Sequence, residues 1–108
     1  MIYTINEIRR IIYPIAQTWN IRAVYLFGSY ARGTATEESD IDLLVDTAGS
    51  TITGLMSLGG LYCDLEDALK KKIDLITVNS LEQPTNKPGQ LHFRENVRRE
   101  RIEIYDAA

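Results

Sequence analysis

Residues Phe27 to Val45 read FGSYARGTATEESDIDLLV, and this stretch decides the fold. An apolar, strand-like run ends in Gly28-Ser29, a short polar loop follows, and a second apolar run carries Asp40 and Asp42. Side chains alternate faces along a strand, so residues two apart point the same way, about 7 Å apart at Cα. Asp40 and Asp42 are therefore expected side by side on one face, with Ile41 and Leu43 on the other. Two carboxylates sharing one face of a buried strand repel each other and are costly if left unpaired. A hard cation with a taste for oxygen ligands, Mg²⁺ foremost, would offset that repulsion.

Gly28 lets the backbone turn tightly and approach a ligand, while Ser29 and the amides of Tyr30 and Ala31 open a short helical turn. Such a turn can cradle phosphate, although a plain strand-to-helix turn needs the same residues. Before it, Ile21 to Phe27 is a β-branched and aromatic run expected to be a strand covered on both faces. Thr4 and Glu7 have the spacing of a capping box that starts a helix. Ile5, Ile8, Ile12, Ile15 and Trp19 then form one apolar stripe, with Trp19 in the core and Asn20 closing the helix. Pro14 removes a backbone donor and predicts a kink or break near Ile11 to Tyr13.

Beyond the opening stretch, Gly33 to Ser39 is a loop and Asp40 to Val45 the second strand. Asp46 shares the parity of Asp40 and Asp42 but falls at the exit to the Gly49-Ser50 turn, where it is expected to be solvated. From Ile52 to Leu69, Leu55, Leu58, Leu61, Tyr62, Leu65 and Leu69 repeat with helical period, and Glu66 and Lys70 form a helix-stabilising pair. Gly59-Gly60 within this helix implies close packing against the sheet or a bend, and Cys63 reads as a small packing residue. Lys70 to Lys72 end the helix, and Ile73 to Val78 (IDLITV) forms a third strand interrupted by Asp74. Asp74 alone reads equally as an exposed strand start beside Lys71 and Lys72 or as a functional acid; Asp40 and Asp42 favour the latter. Asn79 to Gln90 is a loop by its turn residues, and Leu91 to Arg99 has helical character. Arg94, Arg98 and Arg101 fall at steps that align them, either as a solvated face or as a surface for an acidic partner or phosphates. His92 stands alone and reads as a surface residue. Ile102 to Tyr105 alternates as a short, half-exposed terminal strand.

At 108 residues, the chain is expected to form a single domain spanning residues 1–108, with one core. A hydrophobic share of 44% and a charged share of 25% are ordinary for a globular protein and suggest no membrane span. A net charge of -3 argues against stable nonspecific binding to nucleic acid. The single cysteine and an N-terminus without signal-peptide layout point to the cytoplasm.

Gly28-Ser29, Ala31-Arg32-Gly33, Ser39-Asp40-Ile41-Asp42-Leu43 and Ile73-Asp74-Leu75 together resemble the GS, DxD and third-acid motifs of the polymerase-beta-like nucleotidyltransferases. The chain is most similar to the minimal nucleotidyltransferases that act as antitoxins beside HEPN-domain ribonuclease toxins. The resemblance runs from Thr4 to Tyr105 and departs at the Arg-rich ENVRRERIEIY end, where relatives often carry a glycine before the last strand. It implies an α/β fold, a small mixed β-sheet backed on one face by the two long helices. It implies further that Gly28 and Ser29 hold the triphosphate of ATP, the co-substrate, and that Asp40, Asp42 and Asp74 are catalytic and bind Mg²⁺, two ions in the usual clamp. The acceptor implied is a tyrosine hydroxyl of a HEPN toxin partner. Two other classes stay open: an antitoxin that works by covering its toxin without catalysis, and a transferase acting on a small molecule.

Overall fold

The computed structural model describes residues 2–108. Helix α1 (Ile5–Thr18) starts at the expected cap: the Glu7 amide donates to Thr4 Oγ1 at 3.1 Å, and the Thr4 amide donates to Glu7 Oε1 at 2.8 Å. Of the kink or break expected near Pro14, a break is absent: the helix runs on to Thr18. Pro14 and Arg10 are both exposed, so the carbonyl that the proline deprives of an amide lies on the solvent side of the helix. At the far end Asn20 adopts a left-handed conformation (φ 55°). Its amide donates to the Gln17 carbonyl and that of Ile21 to Ala16, a Schellman closure. Because Ile21 completes this closure, strand β1 (Ala23–Phe27) begins two residues later than the apolar run suggests.

There follow α2 (Gly28–Arg32), β2 (Ile41–Asp46), α3 (Leu55–Leu69), β3 (Ile73–Thr77), α4 (Val78–Leu81), α5 (Pro88–Glu100) and β4 (Ile102–Asp106). The sheet is mixed, in the order β3-β2-β1-β4: β2 runs antiparallel to β1 and parallel to β3, while β4 pairs antiparallel on the other side of β1. Residues of α1 (Ile8, Ile12, Ala16) and α3 (Leu61, Leu65, Leu69) bury one sheet face, meeting Val24, Leu26, Ile41, Leu43 and Val45. Each such aliphatic side chain contributes about 1.5–3 kcal/mol on burial. The two long helices are joined at one end by Trp19, whose indole N–H donates to Asp64 Oδ2 at 2.8 Å and whose ring occupies the space a side chain at Gly60 would need. That contact is the close packing anticipated for the Gly59-Gly60 pair, made to α1 and not to the sheet.

The opposite sheet face is covered as well, which the helical stripes did not foretell. Phe27 and Leu44 pack there against Leu81 of α4 and Val97 of α5. Helix α5 starts at Pro88, three residues before the expected Leu91, because proline at the first helical position loses no hydrogen bond and has its φ preset. Helix α3 starts at Leu55 and not Ile52: Ser57 Oγ accepts from the amides of Thr53 and Gly54 at 2.9 and 3.2 Å, fixing the cap. Leu55 then projects into solvent at 86% exposure, so it is not part of the stripe. Cys63 is also exposed, since it lies about 200° around the helix from both Leu61 and Leu65, and so it is not a packing residue. Lys70 ends α3 in a left-handed conformation (φ 54°), and Glu66 accepts from the Tyr62 hydroxyl at 3.2 Å in place of the expected pair with Lys70.

Candidate active site

The strand register gathers the acids. Phe27 of β1 stands opposite Asp42 of β2, and Asp42 stands opposite Asp74 of β3. Neighbouring strands lie about 4.8 Å apart, so Asp42 and Asp74 are cross-strand neighbours at the same end of the sheet as Gly28. Both belong to the face covered by α5, because the alternate residues Ile41, Leu43 and Ile73 are buried under α1 and α3. Asp42 is half-buried and Asp74 exposed. Asp40 sits exposed immediately before β2, one residue short of the strand in which the sequence placed it. Asp46 is half-buried at the other end of β2 and pairs with Arg22 at 3.6 Å, away from the three acids.

Gly28 turns the backbone tightly, and what it lets come close is the Asp42 side chain of the neighbouring strand. The glycine's φ of 74° is strained for any other residue, and a Cβ there would overlap the Asp42 carboxylate. The chain then enters α2, where buried Tyr30 anchors the turn in the core and the Ser29 carbonyl accepts from the Thr34 amide at 2.9 Å. Arg32, at the end of α2, donates to Glu100 of α5 at 3.0 Å and ties the turn to that helix.

The electrostatics follow from this crowding. Partial burial, then the charges of Asp74 and Asp40, push the Asp42 pKa up to about 6, with Arg32 pulling modestly the other way. Arg32, the cation that bears on Asp42, is itself engaged by Glu100. Among the described residues no three His, Cys, Asp or Glu side chains form a ready-made metal cage. The donor chemistry nonetheless suits a divalent cation, since carboxylate oxygens held against mutual repulsion gain most from a hard positive charge.

A cavity of about 260 Å³ opens over Gly28, Arg32, Asp42 and Asp74. Its outer wall is Phe93, Asn96, Val97 and Glu100 of α5, a contribution the sequence reading missed. Those four positions follow the i, i+3, i+4, i+7 steps of one helix face, the signal that could have found them. The arginines instead drew notice, and they do not act as one stripe. Arg94 turns toward α4 and Ile76, and Arg98 is exposed. Arg101 lies past the helix end in extended backbone, with its guanidinium over the Tyr25 ring at 4.6 Å. His92 is exposed, as expected.

Comparison with known proteins adds to this geometry. The family described as Polymerase beta, Nucleotidyltransferase matches residues 9–107. MJ0435 of Methanocaldococcus jannaschii, provisionally named a protein adenylyltransferase, is 42% identical over 77 residues, covering 71% of this chain and 81% of its own. Protein adenylyltransferase MntA of Thermococcus cleftensis is 35% identical over 83 residues, covering 73% of this chain and 82% of its own. Among solved structures, a chain from the complex of tri-AMPylated Shewanella oneidensis HEPN toxin with MNT antitoxin superposes with a TM-score of 0.64. That match has 18% identity and covers 95% of this chain and 73% of the other, a likeness of fold.

Proposed function

This chain belongs to the polymerase beta nucleotidyltransferase family and is a nucleotidyltransferase, and from that premise we propose that it transfers AMP from ATP to a tyrosine hydroxyl of a HEPN-domain toxin, acting as the antitoxin. The observation that carries the reading is the register that sets Asp42 against Asp74 beside the left-handed turn at Gly28. The adenylyltransferase names of the relatives and the AMPylated HEPN toxin in the structural neighbour supply the donor group and the acceptor class.

Asp40, Asp42 and Asp74 would hold Mg²⁺, which supplies charge neutralisation for the phosphates and the leaving oxygen. Gly28 lets the turn pass beside the Asp42 carboxylate, and the backbone of Gly28 and Ser29 with the first amides of α2 binds the triphosphate oxygens. Arg32 lines the same cavity and is placed to exchange Glu100 for a phosphate oxygen. The acceptor hydroxyl gives its proton to Asp74 as its oxygen bonds to the α-phosphorus, and the bond to the pyrophosphate oxygen breaks. The products are the AMP ester, pyrophosphate and one proton.

The test is incubation with α-labelled ATP and Mg²⁺, with and without the HEPN protein encoded beside this chain, followed by mass measurement of both proteins. Label on the partner, with pyrophosphate released and no transfer by Asp42→Asn, is the expected result. Inhibition of the toxin by this chain with no added mass on the partner would leave an antitoxin that works by covering alone.

A further inference from the structure

Asp42 and Asp74 are held in strands, whereas Asp40 stands just before β2 at the end of a segment, residues 33–39, that crosses from α2 to the sheet. The aim of its carboxylate therefore depends on what fixes that segment. Thr36 to Ser39 close a turn, in which the Ser39 amide donates to the Thr36 carbonyl at 3.1 Å and the Thr36 amide to Ser39 Oγ at 2.8 Å. Immediately after Asp40, the Ile41 amide donates to the Lys72 carbonyl at 3.1 Å and opens the pairing with β3. The turn itself is tied to the same edge of the molecule: Lys71 Nζ donates to the Glu37 carbonyl at 2.8 Å, across 34 residues of sequence.

Lys71 is a firm post for this tie. Its backbone runs between two fixed points, the Lys70 amide bonded to the Glu66 carbonyl at 2.8 Å at the end of α3 and the Lys72 carbonyl in the sheet. The residue is half-buried, and a bond from an ammonium to a carbonyl is stronger than one between neutral groups. Lys70 to Lys72 were expected only to end α3, so this long-range contact is a second role for the middle lysine. We propose that Lys71 is a positioning residue for nucleotidyl transfer: by holding the Thr36–Ser39 turn against the start of β3, it keeps the Asp40 carboxylate aimed at the site of Asp42 and Asp74. This rests on the reading of those acids as the metal-holding site. Loss of the tie leaves the sheet intact but lets the turn loosen and the segment swing, so that Asp40 samples positions from which it cannot share a cation with Asp42.

The experiment titrates Mn²⁺, a spectroscopic stand-in for Mg²⁺, into the full chain and reads the free ion by electron paramagnetic resonance. Lys71→Met, which keeps the stem and removes the donors, should weaken Mn²⁺ binding about tenfold with melting in EDTA unchanged, and Lys71→Arg should restore it to within about threefold of wild type. On an Asp40→Asn background, Lys71→Met should change Mn²⁺ affinity by less than about twofold, because it acts through Asp40. In EDTA, hydrogen exchange of the Thr36 and Ser39 amides should quicken in Lys71→Met while that of Leu43 and Leu75 stays as in wild type. Unchanged Mn²⁺ affinity in Lys71→Met overturns the proposal, and so does an equally large loss on the Asp40→Asn background. Failure of the parent reading looks different: wild type and Asp42→Asn then take up Mn²⁺ equally, whatever residue stands at position 71.

Discussion

The two faces of the sheet are built on opposite terms. Under α1 and α3, side chains such as Ile8, Ile12, Leu26, Leu43 and Leu65 are at most 1% exposed and belong to one hydrophobic cluster. On the other face the buried cluster is four residues, Phe27, Leu44, Leu81 and Val97, and at its border stand three carboxylates. Stability is concentrated on the first face. The second gives up close cover for a charged cavity, and α5 lies across it as a wall that also carries Phe93. A fold this small can hold mutually repelling acids because the other face supplies the folding energy.

The sharpest way to break this division is through activity. Asp42→Asn or Asp74→Asn should lower AMP transfer at least about 10³-fold, roughly 4 kcal/mol of barrier, read as initial rate of label incorporation, with circular dichroism unchanged. Leu65→Ala on the packed face should do the reverse. It is expected to cost about 3 kcal/mol of stability by urea denaturation, with transfer by the folded fraction near wild type.

Smaller effects sharpen the contrast. Asp42 has its pKa raised to about 6 in the folded chain, above the ordinary 3.8, so between those values the folded state holds more protons than the unfolded. Without divalent cations, stability should therefore fall as pH rises from about 4 to 6 and then level off, a loss of about 1–2 kcal/mol after allowance for solvent screening. Asp42→Asn should abolish that slope, seen by melting across pH in EDTA. Glu100→Gln frees Arg32 from a half-exposed pair worth up to about 1 kcal/mol, and its small effect on melting should vanish in high salt.

The packed face was largely readable from sequence because its signals are local. Thr4 and Glu7 announce their cap, Asn20 the end of the helix, and the isoleucine and leucine repeats their buried sides. Asp42 and Asp74 stood out too, since a carboxylate in a strand is dear wherever the strand is buried, whereas Asp40 lies just before its strand. Their registration is a matter of pairing: Asp42 meets Asp74 only because β2 and β3 run parallel and in step, which strand-local alternation cannot report. The cover of the second face was hidden for another reason. Val97 is the only buried residue of α5, so the helix shows a weak apolar stripe, and its conspicuous arginines point elsewhere. Pro88 read as a loop residue because proline marks loops and helix starts alike. Cys63 misled through composition, since a small apolar residue near a stripe need not lie on it.

The central claim is that the acid cluster is strained alone and relieved by a cation-bound nucleotide. Melting of wild type and Asp42→Asn, each in EDTA and each with saturating Mg²⁺ and ATP, tests it directly. The account predicts a crossing: in EDTA the variant melts higher by about 4–8 °C, and with Mg²⁺ and ATP the wild type melts higher because it alone gains the ligand's binding energy. Parallel shifts of the two proteins, or no shift in the wild type, would contradict it.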